Sequence, residues 1–121
     1  MAGEERNIVK KIEAIIRPEK IHDVKQALDD LGYHGMNFVQ VTGRGAQRGI
    51  VHQGRGGESV TVDMLPKVKM EVVVPDIGVE RVIEAIIRVA RTGNIGDGKI
   101  FVLPVEEAIR VRTGERGEVA V

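Results

Sequence analysis

Apolar residues along the chain fall either in short runs or at helical spacing, and the switches between the two divide it into alternating strands and helices. From Ile8 to Arg17 the segment opens on mixed residues and closes on Ala14-Ile15-Ile16, which predicts a first strand ended by Pro18. From Glu19 onward Ile21, Val24, Leu28 and Leu31 recur at helical spacing and stop at Gly32, predicting a first helix. Met36 to Val41 reads as a second strand. After a long glycine-rich stretch, Val68 to Val74 reads as a third, followed by Pro75. Val79, Val82, Ile83, Ile86 and Ala90 then keep a helical period up to Gly93, and Ile100 to Leu103 form the fourth strand. The order is βαβ followed by βαβ.

Two such units in one small chain predict the α+β class, as a ferredoxin-like βαββαβ sandwich with both helices on one face of the sheet. The other face then needs cover. Ala14-Ile15-Ile16 and Val72-Val73-Val74 are apolar at consecutive positions, the pattern of strands buried on both faces. With two helices available, the second face is most simply covered by other subunits, so the pattern predicts a homo-oligomer.

Composition narrows the function classes. A chain of 121 residues with 42% hydrophobic content suits one domain, taken as residues 1–121. Lys+Arg and Asp+Glu are both 18 and aromatic residues are 2%, which leaves neither a global cationic field nor stacking platforms for nucleic acid. No cysteine is present, so disulfides and thiolate zinc sites are excluded. Nothing at Met1–Lys11 resembles the apolar core of a signal peptide, and the apolar runs are far shorter than the roughly 20 residues of a membrane span. A soluble cytoplasmic protein is expected.

The stretch between the second and third strands is the unusual one. Residues 43–61 contain Gly43, Gly45, Gly49, Gly54, Gly56 and Gly57, with Arg44, Arg48, Arg55 and His52 opposed only by Glu58. Connections longer than about 12–15 residues without secondary structure are uncommon in compact domains and usually functional or disordered. A mobile, cationic interaction loop is expected over about residues 45–63, and a C-terminal tail over about 105–121.

Three elements could engage an anion. The first is the strand end Gly43-Arg44-Gly45-Ala46-Gln47-Arg48-Gly49, whose glycine spacing is wrong for a dinucleotide fold and which no periodic helix follows. No Walker A sequence occurs. The second is Gly96-Asp97-Gly98-Lys99, which supplies either a tight turn that starts a strand or the N–H-rich cradle that a phosphate needs. Third, Arg110 and Arg112 alternate in the segment Ile109 to Thr113; if it is extended, both guanidinium groups share a face. Each alone suits a solvated surface. Together they favour polyphosphate binding. His22, His34 and His52 show no metal-ligand spacing, and Glu106-Glu107 reads as the start of a short solvated helix.

The motifs "KKIEAIIRPEK", "LPKVKMEVVVPD" and "RTGNIGDGKIFV", followed by "IRVRTGE", resemble the nitrogen regulatory PII signal transduction proteins. The resemblance runs from about Lys10 to Glu115. It implies a homotrimer of ferredoxin-like subunits that binds ATP or ADP in clefts between neighbours, with 2-oxoglutarate bound beside ATP through Mg2+. By the same resemblance Gly43, Gly45, Ala46 and Gln47 contact the nucleotide phosphates, and Gln47 also ligates Mg2+. Gly96, Asp97, Gly98 and Lys99 hold the phosphates, and Arg110 and Arg112 reach them from the adjacent subunit. Ile15, Asn37 and Val73 line the adenine and ribose pocket. Lys67, of the Leu-Pro-Lys motif, pairs with a carboxylate of 2-oxoglutarate, with Gln47, Arg48, Gly49 and Gly96 beside it.

Some positions depart from the family pattern. Ala46 stands where many bacterial members have arginine, which leaves a phosphate contact to Arg44 or unmade. The loop lacks the tyrosine that many members have nucleotidylated; Tyr33 lies elsewhere, and Ser59 only approximates that place. The resemblance implies a non-enzymatic sensor in which adenylate ratio and 2-oxoglutarate set the loop conformation. Candidate partners are an ammonium transporter, entered by Arg55, with membrane contact only through it, or glutamine synthetase or nitrogenase. A nucleotide-hydrolysing enzyme and a purely structural trimer are the rivals. The first has no evident water-activating residue, and the second leaves the Gly, Lys and Arg elements without a role.

Overall fold

Ile12, Ala14 and Ile16 alternate with Lys11, Glu13 and Ile15 along the first strand, and this period-two pattern decides which side of the sheet is covered. The computed structural model describes residues 9–48 and 60–121, the side chains of 45–48 and 60–63 lying outside that description. Its elements are β1 (Val9–Ile16), α1 (Ile21–Asp30), β2 (Met36–Arg48), β3 (Val60–Pro75), α2 (Val79–Ala90) and β4 (Lys99–Val105). Short 3-10 turns at Pro18–Lys20 and Asp76–Gly78 lead into the two helices. The four strands form one antiparallel sheet in the order β2-β3-β1-β4. This is the expected ferredoxin-like βαββαβ arrangement.

Ile12, Ala14 and Ile16 of β1 pair with Val72, Met70 and Val68 of β3, and all six are buried. Both helices close over that face. Val24 and Leu28 of α1 and Val82 and Ile86 of α2 complete the core, the apolar positions that helical periodicity predicted. Truncating a member such as Leu28 or Met70 to alanine would cost about 2–5 kcal/mol. Gly32 and Gly93, both at positive φ, follow the helix ends where the sequence placed them.

Among the described residues no helix covers the opposite face. It carries a chain of ion pairs, Lys11 to Glu13 at 3.1 Å, Lys11 to Glu71 at 3.3 Å and Lys69 to Glu71 at 3.4 Å. Glu71 is held below the usual carboxylate range, chiefly by its hydrogen bond from Lys11. Phe101 and Leu103 of β4 flank these charges and remain exposed, as does Val39 of β2.

Three sequence expectations change. The middle strands run deep into the glycine-rich stretch: β2 continues to Arg48 and β3 begins at Val60, paired through Gly45–Asp63, Ala46–Val62, Gln47–Thr61 and Arg48–Val60. The β-branched run Val60-Thr61-Val62 supplies a partner that lets β2 extend through its glycines. Residues 45–48 and 60–63, expected in a loop, are therefore strand, and only Gly49 to Ser59 of that segment lie outside the described residues. Glu106-Glu107 start no helix; β4 ends at Val105, a bend follows, and Glu107 accepts from Arg116. Arg110 and Arg112 are not on an extended segment either. Ile109 bridges Arg116, and the chain turns between them, with the Gly114 N–H donating to the Arg110 carbonyl at 2.7 Å. Gly114, at a φ of 77°, permits that turn, so the two arginines do not share a strand face.

Candidate ligand site at the Gly96–Lys99 turn

The stretch after α2 is wired to itself by one carboxylate. Asp97 Oδ2 accepts the backbone N–H groups of Thr92 and Gly93, each at 2.8 Å. Its Oδ1 accepts the Thr92 hydroxyl at 2.6 Å and Arg17 Nε at 3.1 Å. The Thr92 hydroxyl oxygen in turn accepts the Asn94 N–H at 3.1 Å. Donors on both oxygens, first among them the Thr92 hydroxyl, hold the Asp97 carboxyl far below the ordinary carboxylate range. The turn that starts β4 is thus a fact of the structure, with Gly96 at a φ of 103° and Gly98 at 106°.

Gly98 is required by its surroundings, and Gly96 is favoured by its positive φ. A Cβ on Gly98 would fall 1.7 Å from the Ile15 carbonyl oxygen, so the turn lies directly against the end of β1. A Cβ on Gly96 would lie 3.2 Å from Arg17 Nη2 and 3.6 Å from Lys67 Nζ. Lys67 reaches the turn from β3 and donates to the Gly96 carbonyl at 2.5 Å. Arg17 Nη2 likewise donates to the Ile95 carbonyl at 2.9 Å. Burial pushes the Lys67 ammonium below its ordinary pKa, and the Arg17 charge adds to the effect. On the neighbouring strand a Cβ at Gly43 would be 3.6 Å from the Lys67 stem, an ordinary contact.

Ile15, Gly43, Lys67, Gly96, Asp97, Gly98 and Lys99 therefore converge at one end of the sheet, Lys99 opposite Ile15 in the β1–β4 ladder. Gly45, Ala46, Gln47 and Arg48 continue β2 beyond Gly43. Gly49, Arg55 and Ser59 lie outside the described residues. The remaining expected residues are elsewhere. Asn37 and Val73 line a separate cavity of about 940 Å³ with Lys11, Tyr33, Glu71 and Ile109. Ile15, Asp97, Gly98 and Lys99 border a different groove, of about 410 Å³, beside α2. Arg110 is held in the C-terminal turn, donating to Glu115 and to the Val119 carbonyl, both at 2.8 Å, while Arg112 is exposed.

Arg17 and Thr92 are the residues that sequence reading missed. Thr92 was visible as an ST-type partner beside Gly93, but its link to Asp97 spans a loop without periodicity. Arg17 joins Asp97 across 80 positions of sequence, and only the antiparallel pairing of β1 with β4 brings them together.

Among the described residues no helix is long and apolar enough to cross a membrane, and no group of three or more His, Asp or Glu side chains is placed to hold a metal.

The chain matches the family model described as nitrogen regulatory protein P-II over residues 9–115. It is 57% identical over 113 residues to the nitrogen regulatory protein P-II of Haemophilus influenzae, covering 93% of this chain and 100% of that one. It is 52% identical to nitrogen regulatory protein P-II 2 of Methanothermobacter thermautotrophicus, covering 93% and 97%. Among solved structures it is similar to the B. subtilis GlnK-ATP complex, with a TM-score of 0.79 at 33% identity, covering 96% of this chain and 98% of that one. Arabidopsis thaliana PII bound to citrate is similar at a TM-score of 0.75 and 47% identity, covering 93% and 88%. With its fold, its Gly96–Lys99 turn and these likenesses in agreement, the chain belongs to the nitrogen regulatory protein P-II family, a family of signalling proteins.

Proposed function

We propose that this P-II protein is a non-enzymatic sensor that takes ATP or ADP at the Gly96–Lys99 turn and 2-oxoglutarate beside it. The observation that carries this reading is Lys67. It is half-buried, forms no ion pair among the described residues, and rests on a carbonyl at the rim of a turn that also carries Lys99 and two positive-φ glycines. An anionic ligand would give this ammonium a direct charged partner through charge-assisted hydrogen bonds. A nucleotide on the B. subtilis relative and a carboxylate ligand on the Arabidopsis one support the two ligand classes.

The residues present suit Mg-ATP with 2-oxoglutarate. Gly43, Gly45, Ala46, Gly96, Gly98 and Lys99 would meet the phosphates, and Lys67, Arg48, Gly49 and Gly96 the dicarboxylate. Gln47 offers the hard amide oxygen that Mg2+ prefers, and a bound Mg2+ would neutralise phosphate charge and join the two ligands. Hydrolysis finds no support in the turn, since both oxygens of Asp97 are already engaged and leave no base there for water.

We further propose a homotrimer with the nucleotide between subunits. The sheet face away from the helices, with Phe101 and Leu103 exposed, supports association. The placement of Asn37 and Val73 in one cavity and of Ile15 and the turn in another supports a site whose two halves come from two subunits. The segment around residues 45–63 would carry the ligand state to a partner. That partner is an ammonium transporter engaged by Arg55, or glutamine synthetase or nitrogenase, so the protein would act in the cytoplasm and meet the membrane through a transporter only.

Calorimetric titration with ATP and ADP, alongside a phosphate-release assay, tests the reading. Competitive binding of both nucleotides with negligible turnover is expected. Absence of binding, or sustained turnover at about 1 per second or faster, would overturn it.

A further inference from the structure

We propose that Thr92, Asp97 and Arg17 form a clasp that holds the phosphate-facing turn in its binding shape, with Asp97 acting as a positioning residue and not as a side-chain contact to the nucleotide. This rests on the reading above, and it assigns roles to two residues, Arg17 and Thr92, that the sequence motifs did not single out.

A carboxylate offers about four acceptor positions. Asp97 has all four filled: the Thr92 and Gly93 N–H groups, the Thr92 hydroxyl and Arg17 Nε. Nothing is left over for a ligand, and an unshielded carboxylate would in any case repel phosphate. The four donors come from two places. Thr92 and Gly93 lie at the start of the connection after α2, so their bonds close residues 92–97 into a ring. Arg17 lies just past the end of β1 and ties that ring to the sheet. Its planar guanidinium serves two acceptors at once, the Asp97 carboxylate through Nε and the Ile95 carbonyl through Nη2.

The consequence falls on Gly96 and Gly98, which flank Asp97. Fixing Asp97 on both sides fixes the positive φ of both glycines, a region that glycine visits freely and leaves as easily. The clasp therefore removes, before any ligand arrives, the conformational freedom that the glycines would otherwise lose on binding. Thr92 is the keystone because its hydroxyl both donates to Asp97 and accepts from Asn94.

The test compares ATP with adenosine, which shares the base and ribose but has no phosphates, on Thr92→Val, Thr92→Ser and Arg17→Lys proteins. Valine keeps the shape of threonine and removes the hydroxyl. Thr92→Val is expected to weaken ATP binding roughly tenfold, the loss typical of one hydrogen bond to a charged group, with adenosine affinity unchanged. Thr92→Ser, which restores the hydroxyl, is expected to return ATP affinity to within about twofold of wild type. Arg17→Lys keeps the charge but has no planar fork to span the Asp97 carboxylate and the Ile95 carbonyl, and is expected to fall between them. Wild-type ATP affinity in Thr92→Val, equal losses of ATP and adenosine, or failure of serine to rescue would each overturn the clasp. Failure of the wild-type protein to bind ATP would instead overturn the sensor reading itself.

Discussion

Lys67 Nζ donates to the Gly96 carbonyl at 2.5 Å, so the lysine of the Leu-Pro-Lys motif on β3 and the glycine turn before β4 are in direct contact. Any anion that pairs with Lys67 must share or replace that carbonyl. Binding at Lys67 and the shape of the turn are therefore linked, and linkage of this kind is reciprocal. Replacing Lys67 by Ala is expected to weaken 2-oxoglutarate binding by about 1.5–3 kcal/mol, the worth of a charge-assisted hydrogen bond. ATP affinity should change much less. Calorimetry on the variant checks both; equal loss of the two ligands would contradict the role given to Lys67.

The glycines of the site differ sharply in what they tolerate. Gly98→Ala would place a Cβ 1.7 Å from the Ile15 carbonyl oxygen at a φ of 106°, so strand β1 or the turn must move. A loss of roughly 2–4 kcal/mol in unfolding free energy is expected. Gly43→Ala meets only the Lys67 stem at 3.6 Å, and its cost should stay below about 1 kcal/mol. Denaturant unfolding of the two variants should show that order, and equal effects would contradict the close approach of turn and strand.

Much of this was legible in the sequence, and the misses share a cause. Apolar runs and helical spacing located the main described elements, because the helix-facing residues of β1 and β3 must be apolar for the core to form, as Ile12, Met70 and Val72 show. The extension of β2 to Arg48 was hidden because glycines lower strand propensity locally, while its partner Val60-Thr61-Val62 supports it across the ladder. The turn at Arg110–Gly114 was hidden for a similar reason: the Ile109–Arg116 bridge and the Arg110–Glu115 ion pair act between residues that no local period connects. The Gly96–Lys99 turn could be read from its composition. Its wiring to Arg17 could not, being a product of topology.

Acid should expose the Asp97 wiring. Folding lowers the Asp97 pKa, so on acidification the unfolded chain takes up its proton first, near the usual value of about 3.9. The contribution of this carboxylate is complete above roughly pH 5 and declines as pH falls below about 4 toward the folded value. The stability gap between wild type and Asp97→Asn is expected to be widest near neutrality and to shrink in acid. A gap independent of pH from 7 to about 3 would show that the charge of Asp97 contributes nothing.

If each nucleotide site is shared, subunits carrying Lys99→Ala and subunits carrying Arg110→Ala should complement each other. Each homotrimer would bind ATP weakly at every site. Mixed trimers would contain some sites with both halves intact, and these should recover wild-type affinity. No recovery in well-mixed trimers would place the whole site within one subunit and contradict the shared site.

The most direct measurement is a titration of the purified protein with 2-oxoglutarate in the presence and absence of Mg-ATP. If Lys67, Gln47 and the Gly96–Lys99 turn form one coupled site, 2-oxoglutarate should bind at least tenfold more tightly with Mg-ATP present, a coupling of about 1.4 kcal/mol or more. Binding of 2-oxoglutarate that is indifferent to Mg-ATP, or no binding under either condition, would contradict the account.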